Sequence, residues 1–162
     1  MKILGLDPGT TRIGYGLIEK QSGLKLIDYG VIEIESKTET GKIMELGERL
    51  GQLINDYQPD WAGVEKLYFA KNQKTALAVS QARGVILYLL MKNQIPIYEC
   101  RPAEVKKAVT NYGFADKKAV AKMVKIILGI STITGHDDAS DALAIAITAA
   151  YNCKNYNNQY QN

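Results

Sequence analysis

The stretch that most constrains this chain is KILGLDPGTTRIGYG, Lys2 to Gly16. Lys2-Ile3-Leu4-Gly5-Leu6 is a short apolar run with the composition of a central strand, and Asp7-Pro8-Gly9 ends it with a carboxylate followed by two turn residues. Pro8 has no amide hydrogen, so the ladder cannot run on past it. Apolar and β-branched residues resume from Thr11 to Ile18, which predicts a hairpin whose first strand delivers Asp7 to the end of a sheet. Asp and Gly are also ordinary turn formers, so this stretch alone does not separate a turn from a site.

The rest of the chain supplies more carboxylates in comparable places. Leu24 to Glu35 reads as a third antiparallel strand, and Ile43, Leu46, Leu50, Leu53 and Tyr57 mark an amphipathic helix closed before Pro59. Trp61-Ala62-Gly63-Val64-Glu65 is a short buried strand that ends in an acid, as the first strand does. Asn72 to Lys92 is a long helix with Leu77, Gly84, Leu87 and Met91 on one apolar stripe and Val79, Ile86 and Leu90 on another. Two apolar sides need two partners: one is the sheet, and the other can be a second copy of the chain, the alternative being burial within one larger core. Ile95 to Cys100 is the fifth strand, Pro102 opens a short helix, Asn111 to Ala115 is a turn, and Asp116 caps a helix from Lys117 to Leu128.

HDDASDALAIAI, His136 to Ile147, opens the last helix, which is expected from Asp138 to Tyr151. Asp138 and Asp141 are three apart and so share a helix face, with β-carbons about 5 to 6 Å apart. Capping explains one acid at the helix start, but not Asp141, a charge inside an apolar helix that a bound cation would compensate. Asp137 is one turn from Asp141, so spacing alone fits either neighbour. Asp7, Glu65, Asp138 and Asp141 form a set of oxygen ligands suited to magnesium or manganese. Two such ions about 3.5 to 4 Å apart are able to drive phosphodiester hydrolysis.

Composition narrows the classes. The 162 residues fit one domain, read as residues 1–151 with a polar tail, 152–162, expected to be disordered. The charge is divided: Lys66 to Lys125 holds 12 basic and 3 acidic residues, while the remainder holds 8 basic and 14 acidic. Such a chain can turn a basic face to a polyanion. Cys100 and Cys153 lack zinc-site spacing, and the single histidine adds no further ligand, so reduced structural thiols are expected. With no long apolar run and no charged leader before an apolar segment, a cytoplasmic protein without a membrane span is expected.

GLDPGTTRIGYG (residues 5–16), VEKLYFAKNQKTALAVSQARG (64–84), RPAEVKKAVTNYGFADK (101–117) and DDASDALAIAIT (137–148) together resemble the RuvC family of Holliday-junction resolvases. The resemblance implies an α/β, ribonuclease H-like fold: a five-stranded mixed sheet, three antiparallel strands then parallel ones, flanked by helices. It implies a homodimeric, magnesium-dependent endonuclease that nicks opposing strands of four-way junction DNA symmetrically, in recombination and repair. The catalytic, metal-binding acids would be Asp7, Glu65, Asp138 and Asp141. Family members vary at the third acid, some using histidine, and His136 and Asp137 adjoin it here. Lys106 and Lys117 match basic positions near the active site, and Tyr68 matches an aromatic that acts on bases at the junction centre. Lys71, Lys74, Arg83 and Lys118 complete the expected DNA contacts, and a branch-migration motor complex is a further expected partner. A related small nuclease that processes ribosomal RNA precursors shares the first motif, but is not expected to carry the long second helix with its basic loop. Actin-like ATPases also carry an Asp-x-Gly-Thr-Thr hairpin, but they need a second lobe to enclose a nucleotide.

Overall fold

The computed structural model describes residues 1–67 and 73–156, with side chains at 1–67 and 75–153. Tyr68, Lys71 and the Lys74 side chain, three of the expected DNA contacts, lie outside the described residues. The chain forms β1 (Lys2–Asp7), β2 (Arg12–Lys20), β3 (Leu24–Glu33), α1 (Glu39–Tyr57), β4 (Trp61–Glu65), α2 (Gln73–Lys92), β5 (Ile97–Cys100), α3 (Pro102–Thr110), α4 (Lys117–Leu128) and α5 (Asp137–Tyr156). The strands form one sheet in the order β3-β2-β1-β4-β5. β1–β2 and β2–β3 are antiparallel, β1–β4 and β4–β5 parallel, which is the mixed ribonuclease H-like sheet expected from sequence.

Strand alternation assigns the residues of each strand to two faces. Leu4, Leu6, Ile13, Leu17, Ala62 and Val64 join Leu46, Leu50, Ile54, Ala82, Ile86 and Leu90 of α1 and α2 in one core. On the opposite face Ile3, Ile18 and Trp61 pack with α3, α4 and the alanine-rich α5. α5 comes unusually close to the sheet there. Gly5 pairs with Gly16 on one side and Gly63 on the other, so three glycines lie in a row across the central strands. A Cβ on Gly5 would stand 2.1 Å from the Ala142 carbonyl oxygen, and one on Gly16 2.8 Å from the Leu143 Cα. The row is a seat for the helix backbone, and nothing larger than glycine fits under it.

The last helix runs further than the sequence suggests. α5 continues through Tyr156, so 152–156, assigned to a disordered segment by composition, are helical. The reason is local anchoring. Cys153 is buried, Asn152 Nδ2 donates to the Thr148 carbonyl at 2.9 Å, and Lys20 Nζ donates to the Ala150 carbonyl. Among the described residues no helix is long and apolar enough to cross a membrane.

Candidate active site

The four acids of the sequence analysis meet at one end of the sheet, and the register explains how. Leu6 pairs with Val64 across the parallel β1–β4 ladder, so the next residues, Asp7 and Glu65, end adjacent strands on the face that α5 covers. Asp7 is also opposite Gly14 of β2. A Cβ on Gly14 would stand 2.1 Å from the Asp138 carbonyl oxygen, so the first turn of α5 rests on the strand beside Asp7. Asp141, one turn further on, joins Asp7 and Glu65 in lining a cleft of about 370 Å³ whose other walls are α3 and α4. Asp138 is half-buried and acts electrostatically on Asp7, whereas Asp137 is exposed beside Lys125 and Gly135 and acts on Lys117. Of the two neighbours that sequence spacing left equivalent, Asp138 is the one whose charge reaches Asp7.

The cluster is short of positive charge. Burial, reinforced by Glu65, Asp141 and Asp138, pushes the Asp7 carboxyl up to about 7. Burial and the Asp141 charge raise Glu65 as well. Two side-chain cations partly compensate. Lys117 Nζ donates to Asp141 Oδ2 at 2.8 Å, and this bond holds the ammonium above its ordinary value. Arg12 Nε approaches Asp138 Oδ2 at 3.3 Å, but without hydrogen-bond alignment, so that buried oxygen has a nearby charge and, among the described residues, no hydrogen-bond donor. Arg12 is itself held from behind, its Nη1 donating to His136 Nδ1 at 3.1 Å, while His136 Nε2 faces Glu33 at 3.6 Å. Sequence reasoning missed Arg12. The available signal was a cation opening the strand that follows the Asp7 turn.

The expected basic contacts fall into three groups. Lys106 and Lys117 line the acid cleft. Lys118 is exposed on the first turn of α4. Arg83 is engaged within the protein: Nε donates to the Glu65 carbonyl at 3.3 Å, its guanidinium pairs with Glu99, and its side chain is only 19% exposed. It fastens α2 to the ends of β4 and β5, and so holds Glu65 in place. Both cysteines are free and buried, as expected. Cys100 lies beside Glu65 in register, and burial together with that charge pushes its thiol to about 12, leaving it inert at neutral pH.

The family model for crossover junction endodeoxyribonuclease RuvC matches residues 3–149. The chain is 49% identical over 148 residues to a crossover junction endodeoxyribonuclease RuvC of Petrotoga mobilis, covering 90% of this chain and 91% of the relative. Its fold is similar to the Thermus thermophilus RuvC structure, with TM-score 0.86, 28% identity and coverage of 96% and 97% of the two chains. It is similar also to T. thermophilus RuvC in complex with Holliday junction substrate, with TM-score 0.84, 26% identity and coverage of 95% and 96%. In sequence and in fold, over nearly its whole length, the chain belongs to the RuvC family of crossover junction endodeoxyribonucleases.

Proposed function

We propose that this protein resolves four-way DNA junctions by paired, symmetric nicks, with Asp7, Glu65, Asp138 and Asp141 as its catalytic acids and magnesium as the ion they hold. The observation that carries this reading is the acid cleft with Lys106 and Lys117 in its wall, on a fold shared with a RuvC bound to a Holliday junction. The donor set fits a hard dication. It is oxygen only, one buried Asp138 oxygen has no hydrogen bond among the described residues, and burial, reinforced by its acidic neighbours, pushes the Asp7 carboxyl up to about 7. Among the described residues no three such side chains already stand as a closed cage. Asp138 and Asp141 would therefore exchange Arg12 and Lys117 for the ion.

When bound, divalent cations supply the charge that activates water and stabilises the leaving oxygen in phosphodiester hydrolysis. The chain's own groups have separate tasks. Asp7 and Glu65 are fixed by strand ends, and Asp138 and Asp141 by a helix seated on glycine. Asp7 carries a proton part of the time at neutral pH, so loading the site releases protons. Lys106 and Lys117 present their ammonium groups to a phosphate entering the cleft.

A junction with two-fold symmetry is cut symmetrically by a two-fold enzyme, and α2 offers the surface for one. Ala82, Ile86 and Leu90 are buried, but Leu77, Tyr88 and Met91 on the outer side are 67%, 63% and 66% exposed. That apolar stripe, exposed among the described residues, supports a homodimer through α2.

The test is a denaturing gel of synthetic four-way junction, linear duplex and structured RNA, each incubated with protein in Mg²⁺ or EDTA. Paired nicks at symmetric positions in the junction, dependent on Mg²⁺ and lost in Asp7→Asn, are expected. Preferential cutting of the RNA, or equal cutting by Asp7→Asn, overturns the reading.

A further inference from the structure

The connection between α3 and α4 carries two aromatic rings that, among the described residues, are mostly exposed. Phe114 is 85% exposed and Tyr112 61%, and their ring centroids lie 5.8 Å apart with the planes inclined at 57°. Exposing two large rings costs hydrophobic stabilisation, so each would gain by covering its face.

The rings are held rather than loose. Thr110 Oγ1 donates to the Lys106 carbonyl at 2.8 Å and accepts from the Tyr112 amide at 3.1 Å. Asn111 turns the chain in a left-handed conformation, φ 60°, at the end of α3. Ala115 is buried and its amide donates to the Tyr112 carbonyl at 3.2 Å. Asp116 then caps α4, Oδ1 accepting from the Ala119 amide at 2.7 Å. The loop is tied down on both sides of the pair, so little ordering entropy remains to be lost when a ligand meets the rings.

Position and charge identify the occupant. Phe114 is three residues before Lys117, whose ammonium sits on Asp141, and Lys106 on the preceding helix lines the same cleft. From Arg101 to Lys125 the chain holds seven basic residues against two acidic ones. Aromatic faces set among lysines suit a nucleic-acid strand, whose phosphates meet the lysines while a base covers the ring. A paired duplex hides its base faces in the stack, but the exchange point of a four-way junction can be opened to present them.

We propose that Tyr112 and Phe114 form a stacking platform for an unpaired base of the DNA strand lying across the acid cleft, Phe114 meeting the base and Tyr112 backing it. This rests on the resolvase reading and names a contact beyond the acids and lysines. Base stacking on an aromatic corresponds to roughly tenfold in affinity.

The experiment measures binding of fluorescein-labelled junction and linear duplex to the full-length protein in Ca²⁺, with Mg²⁺ nicking assayed in parallel. Phe114→Ala is expected to weaken junction binding about tenfold while duplex binding and the melting temperature stay within error. Phe114→Trp is expected to retain affinity and to be quenched by the junction, against a constant background from buried Trp61. Parent-like junction binding by Phe114→Ala, or an unquenched Phe114→Trp, overturns the platform while the parent still nicks. Loss of a dimer on sedimentation of Phe114→Ala also overturns it, because a second copy would then be the occupant. A parent that neither binds nor nicks the junction overturns the resolvase reading, and the platform with it.

Discussion

The two faces of the sheet are built on different principles. The face covered by α1 and α2 is filled by large aliphatic side chains, Leu4, Leu6, Leu17, Leu46, Leu50, Ile86 and Leu90, none more than 2% exposed. The face covered by α5 has a row of glycines at its centre, flanked by Ile3, Ile18 and Trp61, and there the helix backbone approaches the strand backbone. Large interdigitating side chains supply most of the burial but tolerate small shifts. Glycine against alanine supplies less area but fixes the height of the helix. All four acids are on the second face, because a carboxylate cluster shared between strand ends and a helix needs position more than bulk.

The sharpest way to break this comparison is to substitute neighbouring residues on opposite faces. Gly5→Ala drives a Cβ into the Ala142 carbonyl, which cannot yield unless α5 moves. It is expected to cost roughly 3 kcal/mol or more in urea unfolding and to abolish nicking in the molecules that still fold. Leu4→Ala leaves a cavity on the other face and costs a comparable 2 to 5 kcal/mol, roughly, but its folded fraction keeps parent-like nicking per molecule. Equal retention of activity in both variants would remove the distinction between the faces.

The acid face should also carry a pH signature that the aliphatic face lacks. In the metal-free protein the folded state raises Asp7 to about 7, and raises Glu65 in the same direction. Between the ordinary carboxylate range and pH 7 the folded state therefore binds more protons than the unfolded one. The sign follows: the favourable contribution is complete below about pH 4 and is lost as pH rises through 7. Thermal or urea unfolding in EDTA should show a loss on the order of 2 to 4 kcal/mol across that window, largely removed in Asp7→Asn and offset by Mg²⁺. A flat profile in EDTA would mean that the acids are more solvated than their placement indicates.

Much of this arrangement was legible in the sequence because its signals are local. Asp7-Pro8-Gly9 ends β1, Glu65 ends β4, and Asp116 caps α4, each where strand pattern and turn chemistry place it. What was not legible depends on contacts distant in sequence. Whether Asp137 or Asp138 faces Asp7 is set by how α5 sits on Gly14, 124 residues earlier than Asp138. Arg83 lies in a basic segment and reads as a DNA contact, yet Glu65 and Glu99 on two different strands claim it. Lys20 on β2 ties the end of α5 down at Ala150 and Cys153, which composition of the tail could not reveal.

The outer side of α2 offers a smaller effect that belongs to the aliphatic face alone. Met91→Glu places a charge on the exposed stripe, away from the acid cleft, and is expected to weaken self-association about tenfold or more in sedimentation while monomer stability changes by under about 1 kcal/mol. Nicking should then lose its pairing, one strand being cut without the other. Unchanged sedimentation at all concentrations would place the dimer contact elsewhere.

The smallest effect expected is at Arg12, and it separates two ways of holding an acid. Arg12 is half-exposed, and its pair with Asp138 lacks hydrogen-bond alignment, so it should contribute well under about 1 kcal/mol to folding. Its charge nevertheless occupies the position that a divalent ion requires. If it competes for Asp138, Arg12→Ala tightens Mn²⁺ binding in the absence of DNA by roughly two- to fivefold, the range a weak, partly solvated ion pair supports. If it serves to aim Asp138, the same change weakens Mn²⁺ by about ten- to a hundredfold, as loss of an orienting partner does. The missing hydrogen bond favours competition, because a group that aimed the carboxylate would be aligned with it. Isothermal titration with Mn²⁺ at pH 8 decides between them, and Lys117→Ala tests the same argument on Asp141. There the hydrogen bond is well formed at 2.8 Å, so the gain in Mn²⁺ affinity should be offset by a less fixed carboxylate.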